Sequence, residues 1–218
     1  MQFQKDHIYH IYNQGNNRRK IFFERRNYLF FLEKVKTHIL PYCDIIAWCL
    51  MPNHFHLLVL VKEVELPRAA ASQGLRSSQG LTQSQTLTTT TQTLTARSLN
   101  DSIGIVLRSY TRAINKQENS TGSLFRKNTK AECVTCPDGL SPSWFVENGV
   151  TTYFNTLPGD DYPQVCFDYI HQNPVKAGLV KIATDWEFSS AQDYNGIRNI
   201  GLINRKVAKE FGLINKVI

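Results

Sequence analysis

Asp44–Lys62 reads DIIAWCLMPNHFHLLVLVK, and the fold turns on how this stretch is taken. Two runs, Asp44–Leu50 and His54–Lys62, are separated by only Met51-Pro52-Asn53, a hairpin-length connection. Their near-continuous hydrophobicity predicts two neighbouring strands in central positions of a sheet. Upstream, His7–Asn13 (HIYHIYN) alternates as a strand does, and Gln14-Gly15-Asn16-Asn17 supplies turn chemistry. Between that strand and the hairpin, Tyr28, Phe31, Leu32, Val35 and Ile39 fall at helical spacing within Asn27–Leu40, and Pro41 stops the helix.

Downstream, Leu99–Lys116 is amphipathic. Ile103, Val106, Leu107, Tyr110 and Ile114 share one face, while Arg108, Arg112 and Lys116 follow one another along a second. Leu124–Val134 is expected to add a last strand carrying Arg126, Lys127 and Lys130. The order β-α-β-β-α-β predicts an α+β, ferredoxin-like core whose antiparallel sheet is covered on one face by two helices. A further helix is expected over Tyr162–Asn173, followed by one short turn from Pro174 to Gly178. Trp186–Ile218 has no clear period and is expected to be a packed tail.

Between Leu66 and Ser98 the composition changes. LPRAAASQGLRSSQGLTQSQTLTTTTQTLTARS has no aromatic residue, and its charges are Arg68, Arg76 and Arg97 alone. Such a segment buries too little apolar surface to offset its ordering entropy, so it reads as a disordered insertion. The organisation expected is therefore one domain from residues 1–65 and 99–200, an insertion over 66–98 and a tail over 201–218.

Composition narrows the function classes. With 218 residues, 42% hydrophobic and 20% charged, the chain is neither wholly disordered, collagenous nor coiled coil. No window reaches ~18 consecutive apolar residues, and Met1–His10 has no signal-like apolar run, so a cytoplasmic protein without a membrane partner is expected. A net charge of +7 suits a polyanionic partner. The five cysteines are odd in number and are expected to be reduced thiols. Cys133 and Cys136 form a CxxC, but no second CxxC or HxxxH completes a zinc set.

Alternation along a strand sends His54 and His56 to one face and Phe55 to the other, close enough for both imidazoles to share a divalent ion that still needs oxygen donors. The plainer alternative is a hydrogen-bonded histidine pair beside the core. On the late helix, Tyr169 and Asn173 are four residues apart and face the same way, so the Asn173 carboxamide is a candidate third ligand. Here too a plainer role exists, since tyrosine on such a helix is usually core and asparagine before proline is a good N-cap. Lys176 lies nearby as a phosphate-binding candidate.

HIYHIYNQGNNRRKIFF (7–23), CLMPNHFHLLV (49–59), SIGIVLRSYTRAINK (102–116), GSLFRK (122–127), DYIHQNPVKAGLV (168–180) and DWEFSS (185–190) together resemble the REP-associated tyrosine transposases, a branch of the HUH single-tyrosine transposases. The resemblance implies His54 and His56 as paired ligands of magnesium or manganese, Asn173 as an amide-type third ligand and Tyr169 as the nucleophile. It also implies nicking and strand transfer of single-stranded DNA at hairpin-forming repeats, through a 5′-phosphotyrosine, by a nucleoid-associated monomer or homodimer. Family members usually read N-R-G near the start where this chain has Asn13-Gln14-Gly15, a departure that bears on one DNA contact and not on the active site. Asn13, Gly15, Asn17 and Arg18 are the expected guide-reading residues, with Arg19, Arg108, Arg112, Arg126, Lys127 and Lys176 as further DNA contacts. The alternative function is that of a domesticated, non-catalytic binder of structured single-stranded DNA or RNA.

Overall fold

In the computed structural model, which describes residues 1–67, 96–136, 144–147, 150–153 and 162–213, the chain opens with β1 (Ile8–Gln14) and then α1 (Arg25–His38). The hairpin stretch follows as β2 (Cys43–Met51) and β3 (His54–Val61), then β4 (Glu65–Pro67), β5 (Ala96–Ser98), α2 (Leu99–Gln117) and β6 (Lys130–Cys133). The main sheet runs β2-β3-β1-β6, antiparallel throughout, which is the strand order of the ferredoxin-like arrangement the sequence predicts. β7 (Trp144–Glu147) and β8 (Val150–Tyr153) pair separately, and α3 (Tyr162–Lys176), α4 (Ala191–Tyr194) and α5 (Arg205–Glu210) complete the described elements. Among the described residues no helix is long and apolar enough to cross a membrane.

Both faces of the sheet are covered, which is why the two central strands read as unbroken apolar runs. On one face Ile11, Trp48, Leu50, Phe55 and Leu57 pack under Phe31 and Val35 of α1 and Val106 and Tyr110 of α2. On the other, Ile8, Ile46, Cys49 and Leu58 meet Cys166, Phe167 and Ile170 of α3, with Val207 and Ala208 of α5. The expectation of helices on one face holds for the βαββαβ unit itself, and α3, from beyond the unit, closes the second. A register shift between Ile45 and Ala47 puts the consecutive residues Ile46 and Ala47 into the same, second layer, because a bulge sets two residues against one on the partner strand.

Several local expectations are corrected. The last strand is shorter than Leu124–Val134: ladder pairing is confined to β6, and Phe125 makes only an isolated bridge with Gly15. Asn13 is the reason, because its buried carboxamide donates to Arg126 O at 3.2 Å and Thr129 Oγ1 at 2.9 Å, holding 126–129 as a loop beside the strand. α3 does not stop at Asn173 but runs through Pro174 to Lys176. Lacking an N–H, Pro174 forgoes the one helical bond to the Ile170 carbonyl, in the last turn of the helix. Gly178, at φ +68°, then closes it, with Gly178 N donating to Val175 O and Leu179 N to Pro174 O. Cys133 and Cys136 are joined as a disulfide, not left as thiols. The ends of the expected insertion are ordered, since Leu66 pairs with Arg97 and Pro67 with Ala96. Residues 68–95, the rest of the segment read as disordered, lie outside the described residues.

The DWEFSS segment has a structural task. It runs beside β2, with Leu50 N donating to Phe188 O and Ser190 N to Trp48 O, and so covers a sheet edge that would otherwise be open. Arg198 clamps the segment, pairing with buried Asp193 at 2.6 Å and donating to the carbonyls of Glu187 and Ser189. On the opposite side of the sheet, Tyr110 is fully buried and donates to Ile21 O at 2.7 Å. Tyr110→Phe leaves that carbonyl without its partner, so a loss of about 1–2 kcal/mol is expected, read as a lower urea midpoint at unchanged slope.

Candidate active site

The antiparallel register of β1 and β3 sets Tyr12 opposite His56 and Gln14 opposite His54. Cross-strand partners share a face, so His10, Tyr12, His54 and His56 all point to the side of the sheet that α3 covers. β6 adds Glu132 to the same face, opposite His10. The α3 helix brings its residues down onto this layer. The Tyr169 ring stands edge-on to His56, with centroids 5.5 Å apart, and 6.4 Å from His10. One turn further along, Asn173 Oδ1 lies 3.3 Å from His54 Nε2. The expected ligand pair, amide and phenol thus meet within this one chain.

The polar atoms fit a cation. His54 Nδ1 lies 2.6 Å from Asn53 Oδ1, and Asn53 Nδ2 donates to Arg18 O, so the His54 proton belongs on Nδ1 and a lone pair on Nε2. Asn173 Nδ2 donates to Tyr169 O, which turns Oδ1 toward His54. Two acceptors therefore face one another, an arrangement that a positive ion between them stabilises. His56 Nε2 is buried with no hydrogen-bond partner among the described residues, and its Nδ1 is 2.9 Å from His10 Nε2. An orphaned buried nitrogen costs about 1–3 kcal/mol, and a metal–nitrogen bond removes that cost. Burial holds the imidazoles neutral, as ligands must be: His54 is lowered to about 4 and His56 well below its ordinary value, the latter also through the neighbouring His54 and His10.

Around this centre lie groups that sequence reasoning missed. His10 is fully buried, and burial lowers it to about 3. With the His56 proton on Nδ1 and donated to His10, His56 Nε2 carries the lone pair that a metal needs, so His10 selects the tautomer. His10→Ala is expected to weaken manganese binding about 10–100-fold, and His10→Gln, which keeps an acceptor, to restore part of it; calorimetric titration of both variants checks this. Tyr12 donates to Glu132 Oε1 at 2.6 Å, and burial followed by that carboxylate raises the phenol well above its usual range. The alternation of HIYHIYN is visible in the sequence, but nothing in it says that His10 and Tyr12 share a layer with His56.

The remaining expected residues divide by location. Lys176 Nζ sits 5.1 Å from the centre of the Tyr169 ring. Arg108, Arg112, Arg126 and Lys127 line one open groove of about 770 Å³ between α2 and the 122–129 segment. Among the described residues none of these four forms an ion pair. Asn13 is buried and bound to the 126–129 loop, so it positions that loop and offers little to a ligand directly. Gly15 is required by crowding, because a Cβ there would collide with the Arg19 carbonyl. Asn17 and Arg18 both have left-handed backbone, at φ 52° and 58°, and Arg19 Nη2 donates to Ser123 O at 2.8 Å. This turn thereby fastens the end of β1 to the segment that carries Arg126.

Residues 3–101 match the family model described as "Transposase IS200 like". The chain resembles the IS200-like transposases. The matched segment contains His54 and His56, whereas Tyr169 and Asn173 lie beyond it. A solved structure described as the REP-associated tyrosine transposase bound to a REP hairpin is similar in fold, with a TM-score of 0.52 and 16% identity over 94% of this chain and 86% of that one. No curated protein matches the chain in sequence. The resemblance to IS200-like transposases thus covers the β1–β5 part of the chain, and α3, beyond it, places a tyrosine over the imidazoles.

Proposed function

We propose that this protein is a metal-dependent transposase that nicks single-stranded DNA at hairpin-forming repeats and transfers the strand through a 5′-phosphotyrosine on Tyr169. The observation that carries this reading is the meeting of Tyr169 with His56 while Asn173 reaches His54. The hairpin partner is suggested by the solved structure of similar fold, which holds one. His54, His56 and Asn173 would hold magnesium or manganese, and a cation there neutralises charge on the scissile phosphate. Tyr169 Oη forms the new bond to phosphorus as the bond to the 3′ oxygen breaks, and that oxygen takes a proton from solvent, leaving a 3′-hydroxyl on the released strand. Tyr12 takes the phenolic proton and passes its own to Glu132, while the ammonium of Lys176 favours the phenolate. The phosphodiester energy is kept in the tyrosine ester, so rejoining needs no nucleotide cofactor.

In this reading the groove lined by Arg108, Arg112, Arg126 and Lys127 tracks the DNA backbone. Arg112→Ala combined with Arg126→Ala is expected to weaken hairpin binding, and to flatten the slope of log Kobs against log salt by about 0.7 for each single-strand phosphate that the protein no longer neutralises. Fluorescence anisotropy across a salt series measures it, and an unchanged slope moves the DNA path elsewhere. The test of the function itself is a panel of labelled hairpin oligonucleotides incubated with the protein and Mn²⁺ or Mg²⁺. A covalent adduct that survives denaturation and disappears with chelator supports the transposase. Salt-dependent binding with no adduct on any hairpin would instead identify a non-catalytic binder.

A further inference from the structure

At the other end of β1 from His54, the chain leaving β6 folds over the start of the strand. Tyr9 is paired with Cys133, Val134 N donates to Ile8 O at 2.7 Å, and Thr135 Oγ1 accepts from Ile8 N at 3.0 Å. The hook brings Cys133 and Cys136 to His7: one ligand atom from each of the three lies within 4.8 Å of the others. Thr135 Oγ1 is also 3.3 Å from His7 Nδ1, which orients the ring. All three residues are half-buried, accessible to small solutes yet shielded. Since β1 starts at Ile8 and His54 is paired with Gln14 at its far end, this cluster is separated from His54 by about 20 Å of strand at ~3.3 Å per residue.

We propose that His7, Cys133 and Cys136 form a second, redox-gated metal site: reduced, the two thiolates and the imidazole bind one thiophilic divalent cation, zinc by preference, and oxidised, the same sulfurs form the disulfide. Two thiolates and an imidazole are a soft donor set, unlike the imidazole–amide set at His54, and solvent completes a tetrahedral shell. Two equivalents of a small-molecule thiol reduce the disulfide to two thiols and become a disulfide themselves, and cation binding then displaces the two thiol protons.

The site has a structural consequence. β6 is a four-residue strand at the edge of the sheet. The metal form, through His7, would staple the end of β6 to the start of β1, whereas the disulfide only closes the turn that follows β6, and the residue before Cys133 is Glu132, the acceptor of the Tyr12 hydroxyl. The other cysteines, Cys43, Cys49 and Cys166, are buried with thiols pushed up by that burial, to about 12 for Cys43 and Cys166, so they stay silent in a thiol-based measurement.

Titration of the full chain with Co²⁺, after reduction by a phosphine, tests the proposal, because sulfur-to-cobalt charge transfer in the near ultraviolet reports thiolate ligation alone. The expected result is a band that saturates at one equivalent and is bleached by Zn²⁺. It should be absent from oxidised protein and from Cys133→Ser, and its affinity should fall at least about tenfold in His7→Ala. The His54→Ala/His56→Ala double variant keeps the band in full, which separates this site from the transposase centre. Absence of the band from reduced wild-type protein, or equal cobalt affinity in a folded His7→Ala variant, overturns it. Comparing reduced with oxidised wild type needs no substitution, so the test stands even where a variant fails to fold.

Discussion

Tyr169→Phe is expected to abolish the covalent protein–DNA adduct, lowering its yield by at least about three orders of magnitude, as removal of a nucleophile does in other covalent mechanisms. Hairpin affinity should change by less than about tenfold, or 1.4 kcal/mol. The substitution removes a single oxygen, and the ring that stands against His56 and His10 remains. Binding and folding are therefore separated from chemistry within one variant. A phenol with an ordinary pKa of about 10 is a poor nucleophile at neutral pH, and in the proposed mechanism Lys176, Tyr12 and Glu132 relieve this. The measurement is denaturing electrophoresis of a labelled oligonucleotide. An adduct of undiminished yield would transfer the role to another hydroxyl, with Tyr12 first in line, since it lies in the same layer.

His56→Ala is expected to remove metal-dependent cleavage with a comparable clarity. The loss should reach at least about 10²–10³-fold, the range for deleting one group that stabilises charge in a transition state. Of the two imidazoles His56 is the more telling, because its Nε2 is buried and without a partner among the described residues. His54 has a polar neighbour at each nitrogen, Asn53 Oδ1 at 2.6 Å and Asn173 Oδ1 at 3.3 Å, so a structural part in its loss would be harder to separate. Manganese titration by calorimetry should lose its strong phase in His56→Ala, while hairpin affinity measured in chelator stays as in the parent protein. Retention of both cleavage and manganese binding would leave the imidazoles as core histidines, the plainer role they have in many sheets. The two variants fail in different ways: Tyr169→Phe keeps the metal and loses the adduct, whereas His56→Ala loses both.

Local periodicity carries much of this protein's architecture. A period of two puts His54 and His56 on one face, and a spacing of four puts Tyr169 and Asn173 on one side of α3, from spacing alone. The hairpin, the two flanking helices and the ferredoxin-like order follow from the same kind of reading, since turn chemistry and hydrophobic spacing are properties of neighbouring residues. Tertiary structure alone decides which face of the sheet α3 covers, and therefore that the phenol meets the imidazoles. It also decides that His10 and Glu132 join them, that Asn13 ties down a loop, and that His7 reaches a CxxC more than a hundred residues away. Those outcomes depend on strand register and on the apolar faces that dock together, and both are set by contacts between segments far apart in the chain.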